Sequence, residues 1–357
     1  MPSPVRIRDH IRIDETLIRS LPKAEVHVHL EGSFELADLL QLAKETGTTL
    51  PGPAATLFDV ATHAAPRGAE ENTGLSAFLR FLDWQCGLVQ TAEVAARIAY
   101  RFAARQSASG IRYTDVVVNP THWHGWPGSV ASLFEALAAG FDEAQQDGLC
   151  EVNMCLSLLR QQTAGEGREI AEWIAEARPS RVIGLSIDGD ERAAGRTGTT
   201  FADAFDIAKA AGIRRTVHAG ESSGPEGVWD ALNLLHAERI DHGVRAIEDP
   251  ALVDHLRTSA IPLGICPRSN LSLGIYPDME HHPLEMLRAQ GVVVTVNTDD
   301  PAPIGTRLEN EWTLVADTWG WGLDEIRQLA SNSIVASFAT PETKSALLAE
   351  LAAVTTS

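Results

Sequence analysis

No stretch of this 357-residue sequence is long and apolar enough to span a bilayer, which takes about 20 consecutive apolar residues. The first ten residues, MPSPVRIRDH, lack the apolar core of a signal peptide. Cysteine is sparse. Cys86, Cys150, Cys155 and Cys266 form no CxxC pair, which excludes a dense disulfide framework and a cysteine metal cage. They read as buried thiols in a reducing compartment, so the expected location is the cytoplasm. Basic residues are also in deficit, 29 Lys and Arg against 48 Asp and Glu, for a net charge of −19. A phosphate-backbone partner needs a basic face, so nucleic acid is excluded as a partner, and no membrane association is expected. Internal repeats and low-complexity tracts are absent.

What remains is an ordinary globular chain, 44% hydrophobic. Its organisation is an alternation. Eight β-rich runs read as strands: 24–30, 111–118, 152–158, 182–188, 214–219, 239–242, 261–266 and 292–298. Amphipathic helical patterns fall between them, among them AEVAARIAYRFAARQ, EIAEWIAEA, FADAFDIAKAAG and PALVDHLRTSA. Strands alternating with helices imply a parallel sheet. Eight such units predict a single α/β domain over 1–357, a closed (β/α)₈ (TIM) barrel, with a doubly wound open sheet as the fallback. Residues of about 45–85, rich in Gly, Pro, Ala and Thr at their start, read as an insertion or lid after the first strand.

In such barrels the chemistry sits at the C-terminal ends of the strands. Here those ends carry out-of-place polar residues. His27 and His29 lie two apart in "KAEVHVHLEG", and alternate residues of a strand share a face. Two imidazoles on one face suit a borderline metal such as zinc, or else are core histidines satisfied by backbone partners. His218 at the end of the fifth strand and Asp299 at the end of the eighth favour the metal, and this set leaves a position for water. Glu221, three residues past His218, sits where a carboxyl group can pass a proton beside a metal, or can simply serve a helix N-terminus. His242 reads as a general base or a core residue, and the Asp299–Asp300 pair as ligand plus water-holder or a turn. Gly220–Gly224 also fits the GxSxG pattern of a serine nucleophile elbow, but that reading leaves His27, His29 and Asp299 without a role.

The motifs "PKAEVHVHLEGS", "GDE" (189–191), "HAGES", "RIDHGVR", "CPRSNLSLG", "HPLEML" and "VNTDDP" occur in an order that resembles the adenosine deaminase family of the amidohydrolase superfamily, over residues 22–301. The resemblance implies a metal-dependent hydrolase barrel with one Zn²⁺ per chain, held by His27, His29, His218 and Asp299. It implies hydrolytic deamination of a 6-aminopurine nucleoside, adenosine or deoxyadenosine, to the 6-oxopurine and ammonia by attack of zinc-bound hydroxide on C6. In that scheme Glu221 protonates N1, His242 orients and deprotonates the water, and Asp300 holds the hydroxide. The Gly189 backbone meets N3, His29 and Asp300 border the substrate, and Glu31 lies near the sugar. The expected partner is thus a small purine, with the chain a monomer or small homo-oligomer.

Three features depart from the family pattern. Glu31 stands where Asp is common, Val117 where an arginine is usual, and "RIDHG" where "RIGHG" is commoner, a form familiar among adenine deaminases. Adenine or a 5′-substituted adenine nucleoside are accordingly the alternative substrates. Another hydrolase reaction on the same barrel and a non-catalytic purine-binding protein are the remaining readings. "NPTHWHGW" (119–126) offers a further HxH pair, His122 and His124, read as a pocket wall or surface loop rather than a second metal site.

Overall fold

The computed structural model describes residues 13–59 and 73–354. Eight strands form one parallel sheet in the order β1 to β8: Lys23–His29, Ile111–Val118, Glu151–Leu159, Val182–Asp188, Arg214–Ala219, Arg239–His242, Leu263–Ile265 and Val294–Val296. The sheet curls back on itself beyond β8. His29 N–H donates to the Asp299 carbonyl at 2.8 Å, and Asp299 N–H donates to the His27 carbonyl at 3.2 Å. The fold is the expected (β/α)₈ barrel.

β7 and β8 are shorter than the runs 261–266 and 292–298 suggest. Ile261 N–H is taken by Leu256 O of the preceding helix, and past Val296 the Asn297 N–H makes one more bond to β7, to Ile265 O at 2.9 Å, while its side chain accepts Val26 N–H at 3.1 Å. Asp299 then turns the chain with φ of 63°.

β1 also departs from simple alternation. Its register against β2 slips between Glu25 and Val28. This bulge turns Glu25 outward, where it accepts from Gln106 of the helix Ala92–Ala108 at 2.6 Å, while His27 and His29 face the barrel interior. Low in the barrel, the fully buried Arg239 of β6 donates to Asp115 Oδ2 of β2 at 2.8 Å and lies 4.2 Å from the Phe338 ring centroid.

The outer helices form for local reasons. Thr91 caps Ala92–Ala108, and Ala95, Ile98, Ala99, Phe102 and Ala103 recur at helical spacing as its buried stripe. Its neighbour Val130–Gln146 approaches so closely that a methyl on Gly140 would lie 2.0 Å from Ala96 O. All four cysteines are buried and free, and no described helix is long and apolar enough to cross a membrane. Within the segment 45–85, residues 60–72 lie outside the described residues. The described part includes a single turn at Ala54–Thr56 and the helix Thr73–Cys86.

Candidate active site

His27 and His29 reach the top of the barrel from β1, His218 from β5 and His242 from β6, and Asp299 from the turn after β8. The Nε2 atoms of His27 and His29 each lie 3.1 Å from His218 Nε2. Asp299 Oδ1 lies 3.3 Å from His27 Nε2 and 3.4 Å from His29 Nε2. His27 Nδ1 is 2.7 Å from the Gly264 carbonyl, which only a protonated nitrogen can serve, so in the neutral ring the Nε2 lone pair points at the cluster. His218 Nδ1 faces Asp241 Oδ2 at 3.5 Å, a carboxylate–histidine pairing typical behind metal ligands. Ring nitrogens brought lone pair to lone pair repel unless a cation lies among them. Separations of 3.1–3.4 Å are those of ligand atoms around one ion at bonds of about 2.0–2.2 Å. The donor set fits a zinc-like ion.

His242 stands on the flank of this cluster. It shares with His27, His218 and Asp299 a group of ligand atoms within 4.8 Å of one another. Its Nε2, however, is 3.9 Å from Asp299 Oδ2 and 3.5 Å from Glu221 Oε1, whereas His29 comes closer to both His218 and Asp299. Burial, then the charge of His27, lowers the His242 pKa to about 3, so the ring is neutral. Burial, with Asp299 and Glu191 nearby, raises Glu221 to about 8, so this carboxyl keeps its proton near neutrality. Asp300 is raised for the same reasons, by burial first and then by Asp299.

The backbone is constrained here. His242 and Asp299 adopt left-handed φ values of 64° and 63°, conformations that cost non-glycine residues about 1–3 kcal/mol. The turn at Asp299 sends its carboxylate to the imidazoles and that of Asp300 toward Gly32. Ser269 Oγ–H holds Asp299 Oδ2 at 2.6 Å, and Asn270 lies between His242 (3.4 Å) and His282 (3.1 Å), which gives "CPRSNLSLG" and "HPLEML" a local purpose.

A cleft with about 520 Å³ of empty space, its open mouth included, rises above these groups. Its floor is His29, His218, Glu221, His242, Asp299 and Asp300. Asp188, Gly189 and His122 form a polar wall, and Phe78, Leu79, Leu82 and Leu273 an apolar one. Gly189 has φ of 98° at the end of β4.

Glu31 does not line this cleft. Its Oε1 is tied to Asn119 N–H at 2.8 Å and the Trp123 indole N–H at 2.7 Å, and it is 1% exposed. The loop 119–126 divides: His122 lines the cleft with Nδ1 2.7 Å from Asp83, and His124 is exposed. Ser222 Oγ has no hydrogen-bond partner, so no serine–histidine pair forms and Gly220–Gly224 is not a nucleophile elbow.

Several residues that shape the site escaped the sequence reading: Asp241, Ser269, Arg160, Glu191 and Gly32. The last left one signal, a glycine inside the first motif. A methyl on Gly32 would fall 1.9 Å from Asp300 Oδ1. Gly32→Ala should therefore displace Asp300 and cut kcat/KM by about 10²-fold, as misplacements near 1 Å do, with bound metal unchanged. Steady-state rates and metal analysis check this, and a fully active variant would detach Asp300 from the chemistry.

Side chains that fit a metal, gathered over the strand ends of a parallel (β/α)₈ barrel, define the class: a barrel of the amidohydrolase type. The sequence pattern of the adenosine deaminase family matches residues 22–354, and the chain belongs to that family. An adenosine deaminase of Klebsiella pneumoniae is 34% identical over 339 residues, 93% of this chain and 98% of that one. An adenine deaminase of Rhodospirillum rubrum is 33% identical over 348 residues, 96% and 99% of the two chains. Among solved structures, an adenine deaminase from Arthrobacter aurescens superposes with a TM-score of 0.85 at 27% identity, covering 93% of this chain and 98% of that one. An amidohydrolase from Burkholderia ambifaria with bound Zn gives 0.83 at 27% identity, covering 97% and 94%.

Proposed function

We propose that the protein is a zinc-dependent aminohydrolase that replaces the 6-amino group of an adenine-type purine by oxygen and releases ammonia. The observation that carries this is the juxtaposition of a protonated carboxyl, Glu221, a neutral imidazole, His242, and a convergent set of metal-ligating atoms at the floor of one cleft.

His27, His29, His218 and Asp299 would hold the ion, with Asp241 setting the orientation of His218. A bound zinc ion supplies a nucleophilic water near neutral pH. His242 accepts a proton from the attacking water. Glu221 donates its proton to ring nitrogen N1, removing the negative charge that attack at C6 drives onto the ring, and Asp300 orients the attacking water. Phe78, Leu79 and Leu82 offer the apolar wall that a flat heterocycle needs, and exclude water beside it. Amide and ester hydrolysis on the same barrel would not need a carboxyl protonated near neutrality beside the attacked ring.

Five carboxyl groups, Glu31, Asp188, Glu221, Asp299 and Asp300, lie at or just behind the cleft, and among the described residues no arginine or lysine lines it. A substrate phosphate is therefore disfavoured. Adenosine remains the expected substrate. Free adenine is a second reading, favoured by one observation: Glu31, the residue expected near the sugar, has Oε1 already engaged by Asn119 and Trp123. kcat/KM for adenosine and adenine, with ammonia release and loss of the 6-aminopurine absorbance followed together, distinguishes them. A tenfold preference for either base or nucleoside fixes the substrate, and no turnover of any 6-aminopurine refutes the function.

A further inference from the structure

Glu221 is only as useful as its aim, and its aim is set by a segment without regular structure. Between the end of β5 and the helix Pro225–Asn233 the chain runs through Gly220, Glu221, Ser222, Ser223 and Gly224. Gly220 has φ of 65°, and a methyl there would lie 2.6 Å from Val228 Cγ2. Four successive backbone N–H groups in this segment turn to one side chain. Glu191 Oε1 accepts from Gly220 at 3.0 Å, and Oε2 accepts from Glu221 and Ser222 at 2.9 Å and from Ser223 at 3.2 Å.

Two carbonyls, of His218 before this stretch and of Ser222 within it, are held by cations. Arg160, reaching in from the end of β3, donates through Nη2 to the His218 carbonyl and through Nη1 to Thr197 Oγ1 at 2.7 Å. Its guanidinium also comes within 4.0 Å of Glu191 Oε1. Arg192 Nε–H donates to the Ser222 carbonyl at 2.8 Å. Glu191 and Arg160 are 3% and 8% exposed, so this clamp is largely buried. The N–H groups of both peptide planes beside Glu221 are thereby held on the Glu191 carboxylate, and the Gly220 carbonyl accepts the Arg245 backbone N–H at 2.9 Å.

A helix-start glutamate with only a stabilising task would satisfy its own first turn. Here the cap of the short helix Glu191–Ala194 is Asp190, which accepts from Arg192 and Ala193 N–H. Glu191 is left free to serve another part of the chain. Charge matters to that service. A carboxylate offers acceptor oxygens on both arms, whereas a glutamine amide would turn an NH₂ donor toward one or more of the same N–H groups.

We propose that Glu191, braced by Arg160, is a positioning residue for Glu221: it fixes the loop that delivers the Glu221 carboxyl to the ring nitrogen of the substrate. The inference rests on the proton-donor role proposed for Glu221. Glu191 makes no contact with substrate or metal in this scheme, so its effect is confined to kcat.

The test is a double-mutant cycle on the zinc-loaded full chain, with the better of adenosine and adenine as substrate. Glu191→Gln should lower kcat by between about 10- and 10²-fold, with KM within about twofold and bound zinc at wild-type level. On a Glu221→Gln background, the same change should cost little further, because the group it positions has already lost its proton. A wild-type kcat in Glu191→Gln, or an undiminished loss on the Glu221→Gln background, overturns the inference and leaves Glu191 a structural cap. If Glu191→Gln does not fold, Arg192→Ala, which removes the nearer of the two guanidinium donors to the Ser222 carbonyl and leaves Arg245 Nη1 at 3.4 Å, takes its place in the cycle with a smaller loss and the same non-additivity. Failure of the underlying reading looks different: Glu221→Gln alone would then keep its rate.

Discussion

Asp299→Ala should purify without its metal and without activity. The prediction follows from where Asp299 sits. Its Oδ1 touches the Nε2 atoms of both β1 histidines, and its Oδ2 is fixed by Ser269, so one carboxylate joins three of the groups that would surround an ion. Its charge is also the nearest anionic partner of the imidazole cluster. In the metal-free site a protonated His27 beside it holds Asp299 well below the usual carboxylate range despite burial. Removing it leaves imidazoles that must reject one another or a cation with too few anionic ligands. Metal affinity should fall by more than the roughly 10–100-fold seen when only an outer partner of a ligand is lost. His218→Ala should behave the same way, since both β1 histidines converge on it. Metal analysis and ammonia release decide the matter. Wild-type activity in metal-free protein would end the metal-dependent reading. A bound ion also stabilises the native state by mass action, so chelation should lower the Tm of wild type but hardly that of Asp299→Ala.

How much of this was legible beforehand follows from the range of each interaction. The eight strands and the barrel were readable because short β-rich runs and helical periods are local signals. His27 and His29 were readable as a pair because a strand repeats every two residues, and His218, His242 and Asp299 because barrels place chemistry at strand ends. What stayed hidden depends on contacts between distant segments. Nothing near Glu191 in sequence announces that its carboxylate will accept four N–H groups about 30 positions away. Nothing near Asp115 announces Arg239, 124 residues on. Glu31 shows the limit from the other side. The motif placed it near a substrate sugar, but gave no sign that the indole N–H of Trp123 and the backbone N–H of Asn119 would engage its Oε1. The bulge in β1 was equally invisible, because it arises from pairing with β2 and from the outward pull of Gln106 on Glu25.

Glu221→Gln should retain its metal and its fold and lose at least about 10² in kcat, the range expected when a positioned general acid is removed. The substitution keeps the size of the side chain and leaves the four N–H groups around it on Glu191, so the loop has no reason to move. What it removes is a proton that burial retains on the carboxyl up to about pH 8. The sign is then fixed. A group that must be protonated to act is active below its pKa and fails as pH rises through it, so wild-type kcat should carry an alkaline limb. A cation held among His27, His29, His218 and Asp299 would favour the charged carboxylate and draw that limb to a lower pH than the metal-free site implies. In Glu221→Gln the limb should be absent, because an amide does not titrate in this range. The residual rate should still depend on the metal, since the attacking water is activated independently of Glu221. A variant that keeps the wild-type rate and the wild-type alkaline limb would reduce Glu221 to an acid at a loop end, and the proton delivered to ring nitrogen N1 would have to come from elsewhere in the cleft.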